Sequence, residues 1–178
     1  MFELQPIDPE AYRRETRRST LTVAVLFAVI AMATATVSVA LFGEPGGNNF
    51  MWNLAGVLVG LFISSVVVRG LLWDKPFMAS ARYGWQLKRS LMRVTNVMHQ
   101  VEAGVAADNP EAMKLLRFYH QGLTQMHELD GNTSALAELR SEKEAHRQRL
   151  EALGIVDDQP RLDPRWLDAI QGYGKKSK

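Results

Sequence analysis

Four histidines, His99, His120, His127 and His146, and three carboxylates, Glu102, Glu128 and Asp130, are the side chains here best suited to hold a metal ion or move a proton. Imidazole ligates zinc, copper or iron, and a histidine beside a carboxylate shuttles protons near neutral pH. Their spacing argues against either use. His120 and His127 fall on one helix face, but two helical turns set them about 10 Å apart along the axis, too far to share one metal without ligands from elsewhere. His99 and Glu102 stand in the reverse of the Glu-x-x-His order of di-iron bundles. Cysteine is absent, which removes thiolate nucleophiles, zinc ribbons and cysteine-held iron–sulfur clusters. No phosphate-cradling glycine loop, dinucleotide fingerprint or nucleophile elbow occurs. The histidines are therefore expected to be solvated or partly packed. No catalytic, cofactor-binding or metal residue is expected, and the chain is not expected to be an enzyme.

The elements that would have to position those side chains fall into two different solvents. A mean hydropathy of -0.13 suits a soluble protein, yet the average hides a division: apolar residues crowd the first 73 positions, and charged residues alternate with Leu, Met and Val thereafter. Ser19 to Phe42 and Pro45 to Val68 each run without a charge, longer than the roughly 20 residues a helix needs to cross about 30 Å of hydrocarbon. Two spans are expected, at about 19–42 and 50–73, in a hairpin over 19–73. A soluble core helix is rarely apolar all round for so long. Trp52 and Trp73 bracket the second run, and at about 1.5 Å per residue their indoles stand roughly 31 Å apart, the spacing of two interfacial belts. Arg69 lies one turn inside Trp73, where its stem can run along acyl chains and lift the guanidinium to the headgroups.

Gly43, Pro45, Gly46, Gly47, Asn48 and Asn49 make the bend, which carries only Glu44 as a charge. Arg13, Arg14, Arg17 and Arg18 precede the first span, and Arg69, Lys75, Arg82, Lys88 and Arg89 follow the second. The positive-inside rule then puts both termini in the cytoplasm and the bend outside. Arg17-Arg18 before an apolar run also resembles a twin-arginine export signal, but the run exceeds the 7–15 residues of a signal core. Gly56, Gly60 and Ser64 recur every four residues, a face on which two backbones can approach. Ala24, Ala28, Ala31 and Ala35 offer a matching face on the first span. The short bend favours packing of the hairpin on itself over homodimerisation. No Asp, Glu, Lys or His lies deep in either span, so a proton or ion pathway has no titratable carrier.

From Asp74 on the pattern is helical. Leu87, Leu91, Val94, Met98, Val101 and Val105 alternate steps of four and three, the seam of one amphipathic helix. Asn109 before Pro110 starts a second helix and Asp130-Gly131 stops it. A third carries a coiled-coil-like seam, Leu136, Leu139, Leu150 and Leu153, interrupted by Lys143 and His146, which is a possible partner seam because polar seam residues fix register or partner choice. Asp163-Pro164 starts a short last helix, and 173–178 reads as a loose basic tail. Arg82, Arg89 and Arg93 share a face with Lys88 adjacent: either a headgroup contact worth about 1 kcal/mol per basic residue, or a solvated face carrying the topology signal. A net charge of +2, scattered in both signs, does not suggest nucleic acid.

NFMWNLAGVLVGL at Asn49 to Leu61, WQLKR at Trp85 to Arg89 and LRFYHQGLTQMHELDGNT at Leu116 to Thr133 resemble an uncharacterised family of small proteobacterial membrane proteins, domain of unknown function 3087. The likeness runs from about Pro6 to Leu150. It implies the inner membrane of a Gram-negative bacterium and carries no assigned activity. The expected architecture is all-α: a cytoplasmic segment at 1–18, a two-span transmembrane helical hairpin at 19–73, and a small cytoplasmic helical bundle at 74–172. The expected function is a membrane-anchored adaptor or assembly protein, in contact with membrane lipid and with a protein partner or a second copy of itself. No small-molecule substrate is evident. The alternatives are an accessory subunit of a larger transporter or respiratory complex and, more remotely, a membrane-bound enzyme.

Overall fold

The computed structural model describes residues Met1–Tyr173, so the basic tail expected at 173–178 lies, apart from Tyr173, outside the described residues. The chain is mostly helical. Seven α-helices occur among the described residues: α1 (Pro9–Phe42), α2 (Phe50–Val67), α3 (Ala79–Thr95), α4 (Met98–Ala106), α5 (Pro110–Asp130), α6 (Thr133–Ala152) and α7 (Pro164–Ile170). Two short strands, β1 (Phe2–Glu3) and β2 (Arg161–Leu162), were not expected. Contacts divide the described residues into two compact units, Arg14–Arg82 and Met1–Arg13 with the residues from Tyr83 to Tyr173. The segment expected as a separate 1–18 piece therefore divides at Arg13, and its first part belongs to the bundle.

The Arg14–Arg82 unit is a helical hairpin. Asn49 closes its bend: the side-chain oxygen accepts from the Glu44 N–H at 2.9 Å and the amide donates back to the Glu44 carbonyl at 3.0 Å. Gly46 turns the chain at φ +74, which residues with a Cβ resist. α2 continues beyond Val67 as a π-helical turn over Val68–Leu72, with the Trp73 N–H donating to the Val68 carbonyl at 2.8 Å. Pro9–Phe42 and Phe50–Leu72 are both long and apolar enough to cross a membrane.

The bundle is held by two apolar clusters. One joins Val94, Val101, Ala112, Leu115, Phe118, Leu162 and Ile170; the other joins Tyr12, Tyr83, Leu87, Leu91 and Leu129. β1 and β2 pair antiparallel, Phe2 opposite Leu162 and Glu3 opposite Arg161, which carries the first residues onto the core. Capping sets the helix starts: the Asn109 side chain accepts from the Ala112 N–H at 2.9 Å, and Asp163 accepts from the Arg165 N–H at 2.9 Å, each satisfying a backbone donor with no intrahelical partner. Gly131 ends α5 at φ 72.

The single helix expected from Leu87 to Val105 is two helices, α3 and α4. Val97, between them, leaves helical geometry at φ -121, ψ 19. The cause is local, because Val94-Thr95-Asn96-Val97 is a run of β-branched and amide residues that hold a helix poorly. Val94 and Val101, on either side of the break, still reach the same core.

Candidate functional site

In the hairpin, the buried residues of α2 are Gly56, Gly60 and Ser64. A Cβ on Gly56 would stand 2.5 Å from the Ala35 Cα and 2.6 Å from the Thr34 carbonyl oxygen, and one on Gly60 would stand 2.7 Å from the Ala31 Cα. The two backbones touch, and only glycine fits. Ser64 donates to the Gly60 carbonyl at 2.7 Å, so its hydroxyl is satisfied within α2. On α1 the opposing residues are Ala31, Thr34 and Ala35. Ala28, expected on that face, is exposed, and Ala24 is exposed beside a groove between the helices. Near the bend, Ser38 donates to the Trp52 carbonyl at 2.7 Å and Trp52 stacks on Phe42 at 5.0 Å. At the other end the Arg69 guanidinium lies over the Trp73 ring, 5.4 Å from its centroid.

The rest of the hairpin surface is apolar and open. Met32 and Phe62 are each 71% exposed, which a soluble core helix would not leave in water.

The expected basic face is only partly available. Arg82 donates to the Trp73 carbonyl at 2.8 Å and pairs with Asp74, and Lys88 pairs with Asp130 at 3.1 Å. Arg89 lies over the Trp85 ring at 5.0 Å, and Arg93 is exposed. Carboxylates on neighbouring segments thus take two of the four cations expected at headgroups. Arg89 and Arg93 remain, beside the exposed Met92.

The seam of α6 is divided rather than continuous. Leu139, His146 and Leu150 are buried in the bundle, while Leu153 lies past the end of α6 and is exposed. Leu136, Leu139 and Lys143 border an open cleft of about 310 Å³, with Thr124 and Glu128 of α5 opposite. α5 covers the middle of the seam, so the Leu136–Lys143 end and the exposed Leu153 are the parts accessible to another chain.

Two histidines depart from expectation. His120 and His146 are buried, on α5 and α6, with rings 5.3 Å apart in an edge-to-face arrangement. His99 is exposed and His127 half-buried. The His146 Nε2 donates to the Met113 carbonyl at 3.0 Å; a carbonyl only accepts, so the proton sits on Nε2. His120 has no hydrogen bond at either ring nitrogen, and its Nε2 stands 3.5 Å from the largely solvated Glu142 carboxylate. Burial, then the neighbouring His146, pull His120 down to about 4. Burial also lowers His146. Nearby, Arg117 is 5% exposed and holds Asp157 through Nη2, 2.7 and 2.8 Å from the two carboxylate oxygens. His120 and His146 lie on different helices, so no spacing along either one marks them as a pair. Among the described residues no group of three His, Cys, Asp or Glu side chains is placed to hold a metal.

A neutral imidazole pair in a bundle interior makes stability depend on acid. Above the ordinary histidine value of 6.5, folded and unfolded chains are both neutral at His120. Below it the unfolded chain takes up a proton that the folded chain refuses until about pH 4, so stability falls as pH drops through that window. The loss is on the order of 2 kcal/mol, less than the full shift implies because Glu142 can turn toward the new charge. His120→Leu should flatten the decline in melting temperature between pH 7 and pH 4.5, with the lowered His146 accounting for what remains. A decline of undiminished size would assign the acid sensitivity elsewhere.

Fold and site together define a mostly helical protein in which a glycine-packed apolar hairpin is joined in sequence to a bundle with its own core. The family model described as a protein of unknown function, DUF3087, matches residues 2–167, and the chain belongs to that family. No curated protein and no solved structure matches the chain.

Proposed function

We propose that the protein is a membrane-anchored adaptor or assembly protein of the bacterial inner membrane, with the hairpin as the anchor and the bundle as a cytoplasmic platform for protein contact. The observation that carries this reading is the contrast between the units. Apolar side chains lie outward on the hairpin, Phe62 and Met32 most of all, whereas the bundle gathers Val94, Leu115, Phe118 and Ile170 into its own interior. Lipid is the environment in which the first surface is stable. The arginine asymmetry supports a cytoplasmic bundle.

The cleft bordered by Leu136, Leu139 and Lys143 is the contact surface this reading favours, since it opens on the bundle and joins apolar floor to a cation. Affinity purification of the full chain from native membranes tests it. Partners recovered by the parent should be lost with Leu136→Glu, while the variant stays in the membrane fraction. Partners that survive Leu136→Glu and are lost with the hairpin variant Gly60→Leu would favour an accessory subunit that binds its complex through the spans.

A further inference from the structure

Two grooves run between the helices of the hairpin, and they differ at their mouths. The groove nearer the bend, about 410 Å³, is lined by residues such as Val37, Leu41, Trp52 and Val59, and the bend beside it carries only Glu44 as a charge. The other, about 480 Å³, is lined by Thr20, Ala24 and Phe27 of α1 and by Leu61, Ser65 and Val68 from the second helix, and it ends at Arg69 and Trp73. Its depth comes from the small side chains at 20, 24 and 65. Both volumes lie within the roughly 300–1,000 Å³ range of pockets that enclose small molecules. Leu61 to Trp73 spans about 18 Å at helical rise, close to one leaflet of hydrocarbon.

Charge distinguishes the second groove. Arg17 is one turn before Thr20 and on the same face of α1 as Thr20, Ala24 and Phe27, so both helices bring a guanidinium toward this end. Among the described residues neither Arg17 nor Arg69 has an acidic partner, whereas Arg82, a short way on, is paired with Asp74. Arg69 is held in place by the Trp73 ring and needs no reordering to meet an anion. We propose that this groove binds an anionic phospholipid of the cytoplasmic leaflet, with an acyl chain along the small-residue floor and the headgroup phosphate at Arg69, reinforced by Arg17. The inference rests on the membrane placement proposed above.

The test is native mass spectrometry of the full chain in detergent with equimolar phosphatidylglycerol and phosphatidylcholine. One guanidinium at a headgroup corresponds to about fivefold, the equivalent of about 1 kcal/mol. The parent should therefore retain phosphatidylglycerol about fivefold or more over phosphatidylcholine. Arg69→Gln should bring the two toward parity, Arg69→Lys should keep most of the preference, and Ala24→Phe, which fills the groove, should lower retention of both lipids. Arg89→Gln, outside the groove, should change nothing. Parity in the parent overturns the proposal, as does a preference that survives Arg69→Gln and disappears with Arg89→Gln. Carbonate extraction of native membranes separates the two readings. A chain released into the supernatant overturns the membrane placement and the groove with it, whereas a chain that stays in the membrane without lipid preference overturns the groove alone.

Discussion

Gly56→Leu should open the hairpin. Its Cβ alone would stand 2.5 Å from the Ala35 Cα and 2.6 Å from the Thr34 carbonyl oxygen, and those neighbours are backbone atoms that no rotamer change can move. The helices must separate by more than the added methylenes, forfeiting the contacts made by Ala31, Gly60 and Ser64 as well. Overpacking typically costs 1–3 kcal/mol where side chains can adjust; here backbone must move, and a loss above about 3 kcal/mol is expected. Thermal unfolding in detergent should show it, together with faster proteolysis near the bend. Phe62→Ala is the matched control: that ring is 71% exposed, and its removal should change unfolding by about 0.5 kcal/mol or less. Similar melting of the two variants would mean that the glycine face does not hold the hairpin.

Asp157→Ala should destabilise the bundle by about 3 kcal/mol. Arg117 is almost wholly buried and its charge is met by the Asp157 carboxylate, while the Asp157 and Lys143 carbonyls accept from Nε and Nη1 at 3.2 and 3.4 Å. Removing the carboxylate leaves a buried guanidinium with neutral acceptors only, a change that costs about 3–5 kcal/mol in buried pairs. The lower end applies because Asp157 is 40% exposed and water can reach the gap. Arg117→Met together with Asp157→Ala should recover most of the loss, since an apolar replacement of both partners leaves no stranded charge. Denaturant unfolding of the full chain distinguishes the cases: a double variant as unstable as Asp157→Ala would show that the position needs the ion pair itself.

Features written into neighbouring residues were legible in the sequence. Two uncharged runs around a glycine-rich bend gave the hairpin. Asn109-Pro110, Asp130-Gly131 and Asp163-Pro164 marked helix ends that recur in the structure, because a cap is a local contest for backbone hydrogen bonds. Features that depend on distant partners were not. Phe2–Glu3 pairs with Arg161–Leu162, and two residues carry no alternation from which a strand could be read. His120 and His146 meet only when α5 and α6 pack, so a search along one helix face at a time misses them. The break at Val97 was hidden because the apolar residues on both sides keep their seam spacing, and that spacing outweighed the poor local helix propensity of Val94 to Val97. The basic face misled for a related reason: helical spacing aligned Arg82, Arg89 and Arg93, but Asp74 and Asp130, which engage Arg82 and Lys88, lie off that face.

The orientation of the hairpin is the claim on which the proposed function depends, and the absence of cysteine lets one measurement address it directly. Asn48→Cys in the bend and Ser141→Cys on the exposed side of α6 are treated separately with a membrane-impermeant thiol reagent, in intact cells with the outer membrane permeabilised and again after lysis. With the hairpin spanning the inner membrane and the bundle in the cytoplasm, Asn48→Cys reacts in both conditions and Ser141→Cys reacts only after lysis. Labelling of Ser141→Cys before lysis, or protection of Asn48→Cys until lysis, would contradict that orientation.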